Sequence, residues 1–166
     1  MSGISESSFV TLGGIPQWVE VRGADVSNPV LIALHGGPGM PETALLRHFN
    51  GALENVFTVV YWEQRGAGKS FSKTIAPESM TIDRFVRDLD ELVDRVRARL
   101  SKDKVVLLGH SWGSALGTLY AARYPQKVAA YIGTGQIGNL PASETASYEF
   151  VLAEASGAAG SVRSNS

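Results

Sequence analysis

Ser111 stands at the centre of a G-x-S-x-G pentapeptide, residues 109–113, that directly follows an apolar run. A strand that ends in this pattern turns sharply into a helix and holds the serine hydroxyl exposed at the apex. Glycine is needed on either side because a larger residue would collide with the neighbouring strand and helix. The motif predicts a nucleophile for acyl transfer, which requires a base and an orienting acid.

Two more loops of unusual composition follow apolar runs. Residues 35–39 read H-G-G-P-G, and residues 63–70 read E-Q-R-G-A-G-K-S. In open parallel sheets the ligand site lies beyond the carboxyl ends of the strands, so all three loops are expected at one edge. A single short motif is weak evidence. Three in order, each after a predicted strand, indicate one functional site.

The elements that must position these loops alternate between strands and helices. Apolar residues at three- and four-residue spacing predict a helix over Thr81 to Leu100, with Thr81 as its N-cap. The alternation predicts a parallel sheet with helices on both faces. The other predicted elements are a hairpin (8–12 and 17–22), strands (29–34, 56–62, 104–108 and 128–132) and helices (43–53 and 111–123).

Together the three loops resemble those of the α/β-hydrolase fold family, and more narrowly its proline iminopeptidase (prolyl aminopeptidase) branch. In that branch an H-G-G-P-G loop, a W-[DE]-Q-R-G-x-G-x-S loop and a G-x-S-W-G turn recur, and the resemblance covers residues 8 to about 150. It implies an α/β-hydrolase-type, mostly parallel sheet with helices on both faces. It also implies that Ser111 is the catalytic nucleophile and that the backbone amides of Gly37 and Trp112 form the oxyanion hole. Amides fixed in this way stabilise developing negative charge.

The three histidines have structural interpretations. His35 is expected to order the loop that it begins, through local hydrogen bonds. His110 precedes Ser111, but a sharp turn points adjacent side chains in different directions, so contact with the serine hydroxyl is not expected. His48 lies on the predicted helix 43–53 and is expected at the surface.

Arg65 and Trp112 belong to the loops that carry the resemblance. Arg65 is expected to pin its loop through a salt bridge rather than to contact substrate. The Trp112 side chain is equally consistent with lining an acyl pocket and with simple packing.

Two segments imitate nucleotide-binding motifs. Residues 66–70 resemble part of a phosphate-binding loop, but Glu63 stands where its first glycine is required. Residues 133–138 match G-x-G-x-x-G after a strand, yet Asn139 and Pro141 interrupt the helix that the motif should open. We therefore expect no nucleotide, no other cofactor and no metal.

The base and acid that Ser111 needs are missing from the sequence that follows it. In this fold an Asp or Glu and then a His come after the serine. No His and no Asp follows Ser111, and the later acids are Glu144, Glu149 and Glu154. The chain thus resembles an N-terminal portion, truncated after about the sixth strand. A truncated or frame-shifted reading frame and a piece of a longer protein would give the same sequence.

The expected organisation is a hydrolase core over residues 8–140, the start of a lid helix over 141–155 and a disordered tail over 156–166, rich in Ser, Gly and Ala. Residues 128–132 would then form an unprotected sheet edge, which predicts self-association. The alternatives to a hydrolase are accordingly a non-catalytic interaction module and a product without a stable fold.

The composition limits the classes of partner that we expect. The 166 residues carry a net charge of −1, which favours neither nucleic acid nor an anionic membrane. The chain has no cysteine, no signal-like N-terminus and no apolar run long enough to span a bilayer. We therefore expect a cytoplasmic enzyme with a small-molecule or short peptide substrate. Amide, ester and lactone substrates remain open.

Overall fold

A computed structural model describes residues 2–163 of the chain. After an initial hairpin, strands alternate with helices, as the sequence predicts. In chain order the elements are β1 (Ile4–Leu12), β2 (Ile15–Gly23), β3 (Val30–Leu34), α1 (Thr43–Asn50), β4 (Thr58–Glu63), α2 (Ile82–Leu100), β5 (Val105–His110), α3 (Trp112–Arg123), β6 (Val128–Thr134) and α4 (Leu140–Arg163).

The six strands form one sheet in the order β1-β2-β4-β3-β5-β6. β1, β2 and β4 pair antiparallel, whereas β4, β3, β5 and β6 are joined by three parallel pairings. The parallel strands all point their carboxyl ends to one edge. This arrangement confirms the prediction of an α/β fold with a mostly parallel sheet of about six strands.

The two central strands are buried on both faces, which explains their continuous apolar sequences. Every residue of β3 and of β4 is buried. Helix α2 is amphipathic and begins as predicted, because the Thr81 hydroxyl accepts a hydrogen bond from the Arg84 amide at 3.2 Å. It ends at Ser101, whose left-handed backbone (φ 53°) stops the helix.

Helices cover both faces of the sheet, as predicted, but unequally. The larger apolar cluster joins β3, β4 and β5 to α2 and α3, with Ile32, Leu89 and Leu116 fully buried. On the opposite face a smaller cluster centres on Leu31 and Tyr61 and contacts α1 and the turn after it. The α2–α3 face is therefore the main core.

The observed boundaries differ from the predicted ones in α1 and α4. α1 is shorter than the predicted helix 43–53, because residues Gly51–Asn55 form a 3₁₀ helix. α4 extends beyond the expected lid helix 141–155 to Arg163, so the backbone of the expected tail 156–166 is helical as far as it is described. The end of that tail, residues 164–166, lies outside the described residues.

The chain divides into two compact units, Met1–Gln136 and Ile137–Ser166. The first contains the whole sheet with α1, α2 and α3. The second contains α4, at whose start the Asn139 side chain accepts a hydrogen bond from the Ala142 amide at 3.1 Å. The interpretation of residues 141–155 as the start of a lid stays a prediction.

Candidate functional site

Ser111 occupies the apex of the turn between β5 and α3, which we call the elbow (residues 109–113). Its backbone has φ 50° and ψ −118°, a conformation that non-glycine residues rarely adopt. A Cβ at Gly109 would lie 2.4 Å from the Gly113 carbonyl oxygen, and one at Gly113 would lie 2.0 Å from that of Leu34. Both flanking positions therefore require glycine, for the steric reason that the sequence indicates.

Hydrogen bonds hold the strained serine in place. The Ser111 amide donates to the carbonyl of Thr134 on the neighbouring strand at 2.9 Å. Its carbonyl accepts from the Ser114 amide at 2.8 Å and from the Ser114 hydroxyl at 2.6 Å. The turn is thus fixed by both the sheet and the first turn of α3, and among the described residues no hydrogen bond engages the Ser111 hydroxyl.

The glycine loop (residues 35–39) lies against the elbow. A Cβ at Gly36 would stand 3.2 Å from the Ser111 Cβ, which shows how closely the two segments approach. Gly37 has φ 113°, and a Cβ there would lie 2.3 Å from the Gly39 nitrogen. Within residues 2–163, neither the Gly37 amide nor the Trp112 amide donates a hydrogen bond. Two unpaired amides therefore belong to the two segments that meet at Ser111.

His35 anchors the start of the glycine loop, as predicted. It is buried; its Nε2 accepts from the Gln64 amide at 2.9 Å, and the Gln64 side chain donates to the His35 carbonyl at 3.0 Å. Because Nε2 is an acceptor, the ring proton is on Nδ1, which donates to the Gly36 carbonyl at 2.8 Å. Burial lowers the pKa of His35, so the neutral ring is the favoured form.

Within the described residues, neither of the other two histidines forms a hydrogen bond with the Ser111 hydroxyl. The His110 Nδ1 lies 2.7 Å from a carboxylate oxygen of Glu42, the residue that precedes α1. His48 is exposed on α1 and contacts the ring of Phe49. Both placements agree with the expectations from sequence.

Arg65 pins its loop through a buried ion pair, as predicted. Its guanidinium contacts Asp88 on α2 at 2.9 Å, with the two side chains 2% and 0% exposed, and it also donates to the Gly13 carbonyl at 3.0 Å. Asp88 also accepts from Arg84 at 2.7 Å and from Gln17 at 2.8 Å. Such a pair holds its geometry because the buried charges are fully hydrogen-bonded. The loop 63–70 is therefore tied to α2 and to the hairpin.

Trp112 is held by packing and by one hydrogen bond. Its ring packs edge-on against Phe85 of α2, with the centroids 5.6 Å apart. Its indole Nε1–H donates to the Gln64 side-chain oxygen at 3.0 Å. Of the two roles left open by the sequence, packing is the one that these contacts support. Gln64 consequently joins the elbow to the glycine loop, since it also bonds His35.

The two segments that imitate nucleotide-binding motifs have other structures. Residues Gly68–Ser70 form a single 3₁₀ turn. The Ser70 hydroxyl donates to the Glu63 carbonyl at 2.5 Å and accepts from the Trp18 amide at 2.7 Å. In the second segment β6 continues to Thr134, and the next helix begins only at Leu140. The first segment therefore closes a loop on itself and presents no long helix to a phosphate.

Sequence reasoning missed Glu42 and Asp88 as members of the site and its supports, and it noted Gln64 only as part of the loop 63–70. Asp88 did carry a signal, since it lies on the buried face of α2, where a charge requires a partner. Glu42 carried none, because its partner is distant in the chain.

Neither a metal centre nor a membrane-spanning helix is found in the part of the chain that the structure describes. Among residues 2–163 no three His, Cys, Asp or Glu side chains are grouped so that they could hold a metal ion. In the same residues no helix combines the length and the apolar character that crossing a bilayer requires.

The profile of the α/β hydrolase fold matches residues 29–153. This range includes the glycine loop, the elbow and β3 to β6. The chain therefore belongs to the α/β-hydrolase fold family, as the three loops indicate.

Within the family, its relatives include aminopeptidases. The chain is 40% identical over 142 residues to a probable aminopeptidase of Bacillus subtilis (strain 168), covering 86% of this chain and 45% of that protein. It is 32% identical over 136 residues to a proline iminopeptidase of Thermoplasma volcanium, covering 82% and 44%. The chain thus spans less than half the length of these curated relatives.

Solved structures of differently named proteins share the fold. A proline iminopeptidase-related protein from Thermus thermophilus superposes with a TM-score of 0.67 at 32% identity, over 78% of this chain and 44% of that one. Epoxide hydrolase A from Mycobacterium thermoresistibile gives a TM-score of 0.64 at 29% identity, over 78% and 39%. The similarity supports a hydrolase and a fold that serves more than one reaction.

Proposed function

We propose that this chain carries the nucleophile and the oxyanion hole of a serine hydrolase that cleaves an amide or ester bond, most like an N-terminal-proline aminopeptidase. The observation that carries the proposal is the strained Ser111 beside two unpaired amides, those of Gly37 and Trp112. The aminopeptidase relatives support the substrate class. A cytoplasmic location, suggested by the absence of cysteine, belongs to the same proposal.

In the proposed reaction the Ser111 hydroxyl attacks the carbonyl carbon of the substrate, and in this chain its proton passes to solvent water. The carbonyl oxygen becomes negative and receives hydrogen bonds from the two amides. These donors stabilise the transition state because they are already oriented before charge develops. The tetrahedral intermediate then expels the amine or alcohol, which takes up a proton, and water hydrolyses the acyl ester left on Ser111. A serine at the elbow favours acyl transfer over epoxide hydrolysis, for which enzymes of this fold use a carboxylate nucleophile.

The base is the part that this chain does not supply. A serine is weakly nucleophilic until a base accepts its proton. His35 is buried and bonded at both ring nitrogens, His110 bonds Glu42 and His48 is exposed on α1. We therefore propose that the isolated chain turns over slowly, at the residual rate of roughly 10³–10⁴ over water that such sites keep without a full triad.

The test uses the purified 166-residue chain and the chromogenic amide L-proline p-nitroanilide. We expect slow hydrolysis that Ser111→Ala abolishes and that Ser7→Ala, at an exposed serine of β1, leaves unchanged. Hydrolysis that persists in Ser111→Ala would contradict the nucleophile. Turnover at an ordinary enzymatic rate by the unaltered chain would contradict the proposal that its triad is incomplete.

A second candidate function, an interaction module, is favoured by the position of β6. This strand lies at the edge of the sheet and pairs with β5 alone among the described strands. Its sequence V-A-A-Y-I-G-T contains no charge, and Ile132 is 46% exposed. Natural edge strands usually carry charges or proline that prevent pairing with another chain. We propose that β6 pairs with β6 of a second copy.

Light scattering after size exclusion tests this pairing at tens of micromolar protein. We expect a dimer that Ile132→Lys dissociates, because a charge on the edge opposes strand pairing. Leu119→Lys is the matched control, since Leu119 is 44% exposed but lies on α3. A monomer with a cooperative thermal transition would exclude the dimer.

A further inference from the structure

Glu42 occupies an N-cap position without capping the helix that follows. It precedes α1, yet its side chain makes no hydrogen bond to the first-turn amides. The carboxylate instead lies 2.7 Å from the His110 Nδ1. Helices are usually capped by the side chains of Ser, Thr, Asp or Asn rather than Glu, so the Glu42 carboxylate is available for the contact with His110.

The two residues belong to the two segments that meet at Ser111. Glu42 follows the glycine loop by three residues, and His110 directly precedes the serine. Gly36 lies between them: a Cβ there would be 3.2 Å from the Glu42 carboxylate oxygen and 3.5 Å from the His110 Nδ1. The same Cβ would be 3.2 Å from the Ser111 Cβ. The carboxylate–imidazole contact therefore joins the loop and the elbow within a few ångströms of the reacting group.

The contact complements an anchor at the other end of the loop. His35 and Gln64 exchange two hydrogen bonds that fix the beginning of the glycine loop to the strand edge. In residues 36–41 the described hydrogen bonds include none donated by a loop amide. Between His35 and Glu42 the loop therefore contains a turn at residues 37–39 but has few backbone hydrogen bonds to hold it.

We propose that Glu42 and His110 form a latch that fixes the glycine loop against the elbow, which makes them positioning residues for the reaction at Ser111. The latch rests on the proposed function for its catalytic meaning. It sets the distance between the Gly37 amide, carried by the loop, and the Trp112 amide, carried by the elbow. An oxyanion hole works only when its donors hold a fixed separation, because small displacements weaken hydrogen bonds steeply.

NMR relaxation of the full chain tests the latch without depending on turnover. In Glu42→Ala and in His110→Ala we expect the backbone order parameters of residues 36–42 to fall from those of a rigid backbone, about 0.85, towards those of a flexible one, below about 0.6, because a charge-assisted hydrogen bond that restrains the loop is lost. Residues 30–34 of β3 should be unchanged. The double variant should be no more mobile than either single one, since both remove the same contact. Order parameters that stay unaltered in the single variants, or that fall twice as far in the double variant, would overturn the latch.

Conservative variants and matched controls separate the latch from a general loss of stability. Glu42→Gln keeps an acceptor for the imidazole N–H and should restore high order parameters in the loop. Glu78→Gln and His48→Ala change an exposed acid and an exposed histidine away from the contact and should have no effect. A loop that is as mobile in Glu42→Gln as in Glu42→Ala would contradict a hydrogen-bonded latch.

Hydrolysis kinetics then link the latch to chemistry. Where turnover is measurable, Glu42→Ala should lower kcat about tenfold with KM unchanged, and Glu42→Gln should recover most of kcat, because the lost interaction acts in the transition state. An altered KM with an unchanged kcat would overturn the positioning role. Should the unaltered chain show no Ser111-dependent hydrolysis, the proposed function fails while NMR relaxation still decides whether the latch exists.

Discussion

The two faces of the sheet differ in how completely they are covered. On one face α2 and α3 bury a large apolar cluster, and the buried Arg65–Asp88 pair joins α2 to the loop 63–70. On the other face the cluster is small, and α1 leaves Leu45 61% and Phe49 72% exposed. A cavity of about 430 Å³ lies on that face, lined by side chains of α1 and the ends of β5 and β6.

The two faces therefore have different roles: one provides stability, and the other carries part of the candidate site. The filled face has the cohesion of a protein interior, with close packing and satisfied polar groups. The half-covered face carries Glu42 and the glycine loop, so this part of the candidate site depends on a few polar contacts, whereas Trp112 packs against Phe85 of α2. Substitutions should therefore affect unfolding on one face and loop geometry on the other.

The largest effect is expected at Asp88. Asp88→Ala leaves the buried Arg65 guanidinium without its counter-charge and should lower the free energy of unfolding by about 3–5 kcal/mol. Urea titration would measure it. Asp83→Ala is the control, because the exposed Asp83–Arg123 pair should contribute at most about 1 kcal/mol. Equal losses in the two variants would contradict the distinction between buried and exposed pairs.

A core substitution on α2 should follow closely. Leu89 is fully buried, so Leu89→Ala creates a cavity and should cost about 2–5 kcal/mol in the same titration. A loss below about 1 kcal/mol would show that the α2–α3 face is less tightly packed than the structure indicates.

The pH dependence of stability should report the buried His35. Burial lowers its pKa in the folded protein, so below the ordinary value of 6.5 the unfolded chain binds a proton more readily. The free energy of unfolding should therefore fall as pH decreases through 6.5 towards the lowered pKa, and the fall should be weaker in His35→Gln but intact in His48→Ala.

An NMR titration of the histidine ring signals tests the same point without a variant. The His35 signal should shift at lower pH than an ordinary histidine. A His35 that titrates at or above 6.5 would contradict its burial as a neutral acceptor.

The smallest effect is expected at Phe49. Because this side chain is 72% exposed on α1, Phe49→Ala should change the free energy of unfolding by no more than about 0.5 kcal/mol. A loss comparable to that of Leu89→Ala would show that the α1 face is covered more completely than its exposed side chains indicate.

Sequence periodicity predicts most of the fold because a buried strand or helix face shows a regular pattern of apolar residues in its own sequence. The apolar runs of β3 and β4 and the spacing along α2 each reflect one element against the sheet. The glycines at 109 and 113 were equally readable, since their steric requirement arises within the turn or from the adjacent strand. Loop lengths and the end of α4 were less accurate, because tertiary contacts decide where an element stops.

The polar contacts of the site produce no such pattern in the sequence. Glu42 and His110 are 68 positions apart, and Asp88 and Arg65 are 23 apart. The pattern along α2 marks Asp88 as a buried charge but cannot name its partner. For Glu42 even that signal is missing, because an acid near a helix N-terminus is already favoured by the helix dipole. Only the folded arrangement shows that its carboxylate contacts a distant histidine.

The hydrogen bond from the Ser111 amide to the Thr134 carbonyl has a dynamic consequence. It continues the β5–β6 ladder one residue beyond β5, so the serine backbone moves with the sheet rather than with a loop. Its picosecond–nanosecond fluctuations are expected to be as small as those of a strand, with a high NMR order parameter. A substrate that binds must therefore adjust its own position to Ser111, because the serine backbone is held rigid by the sheet.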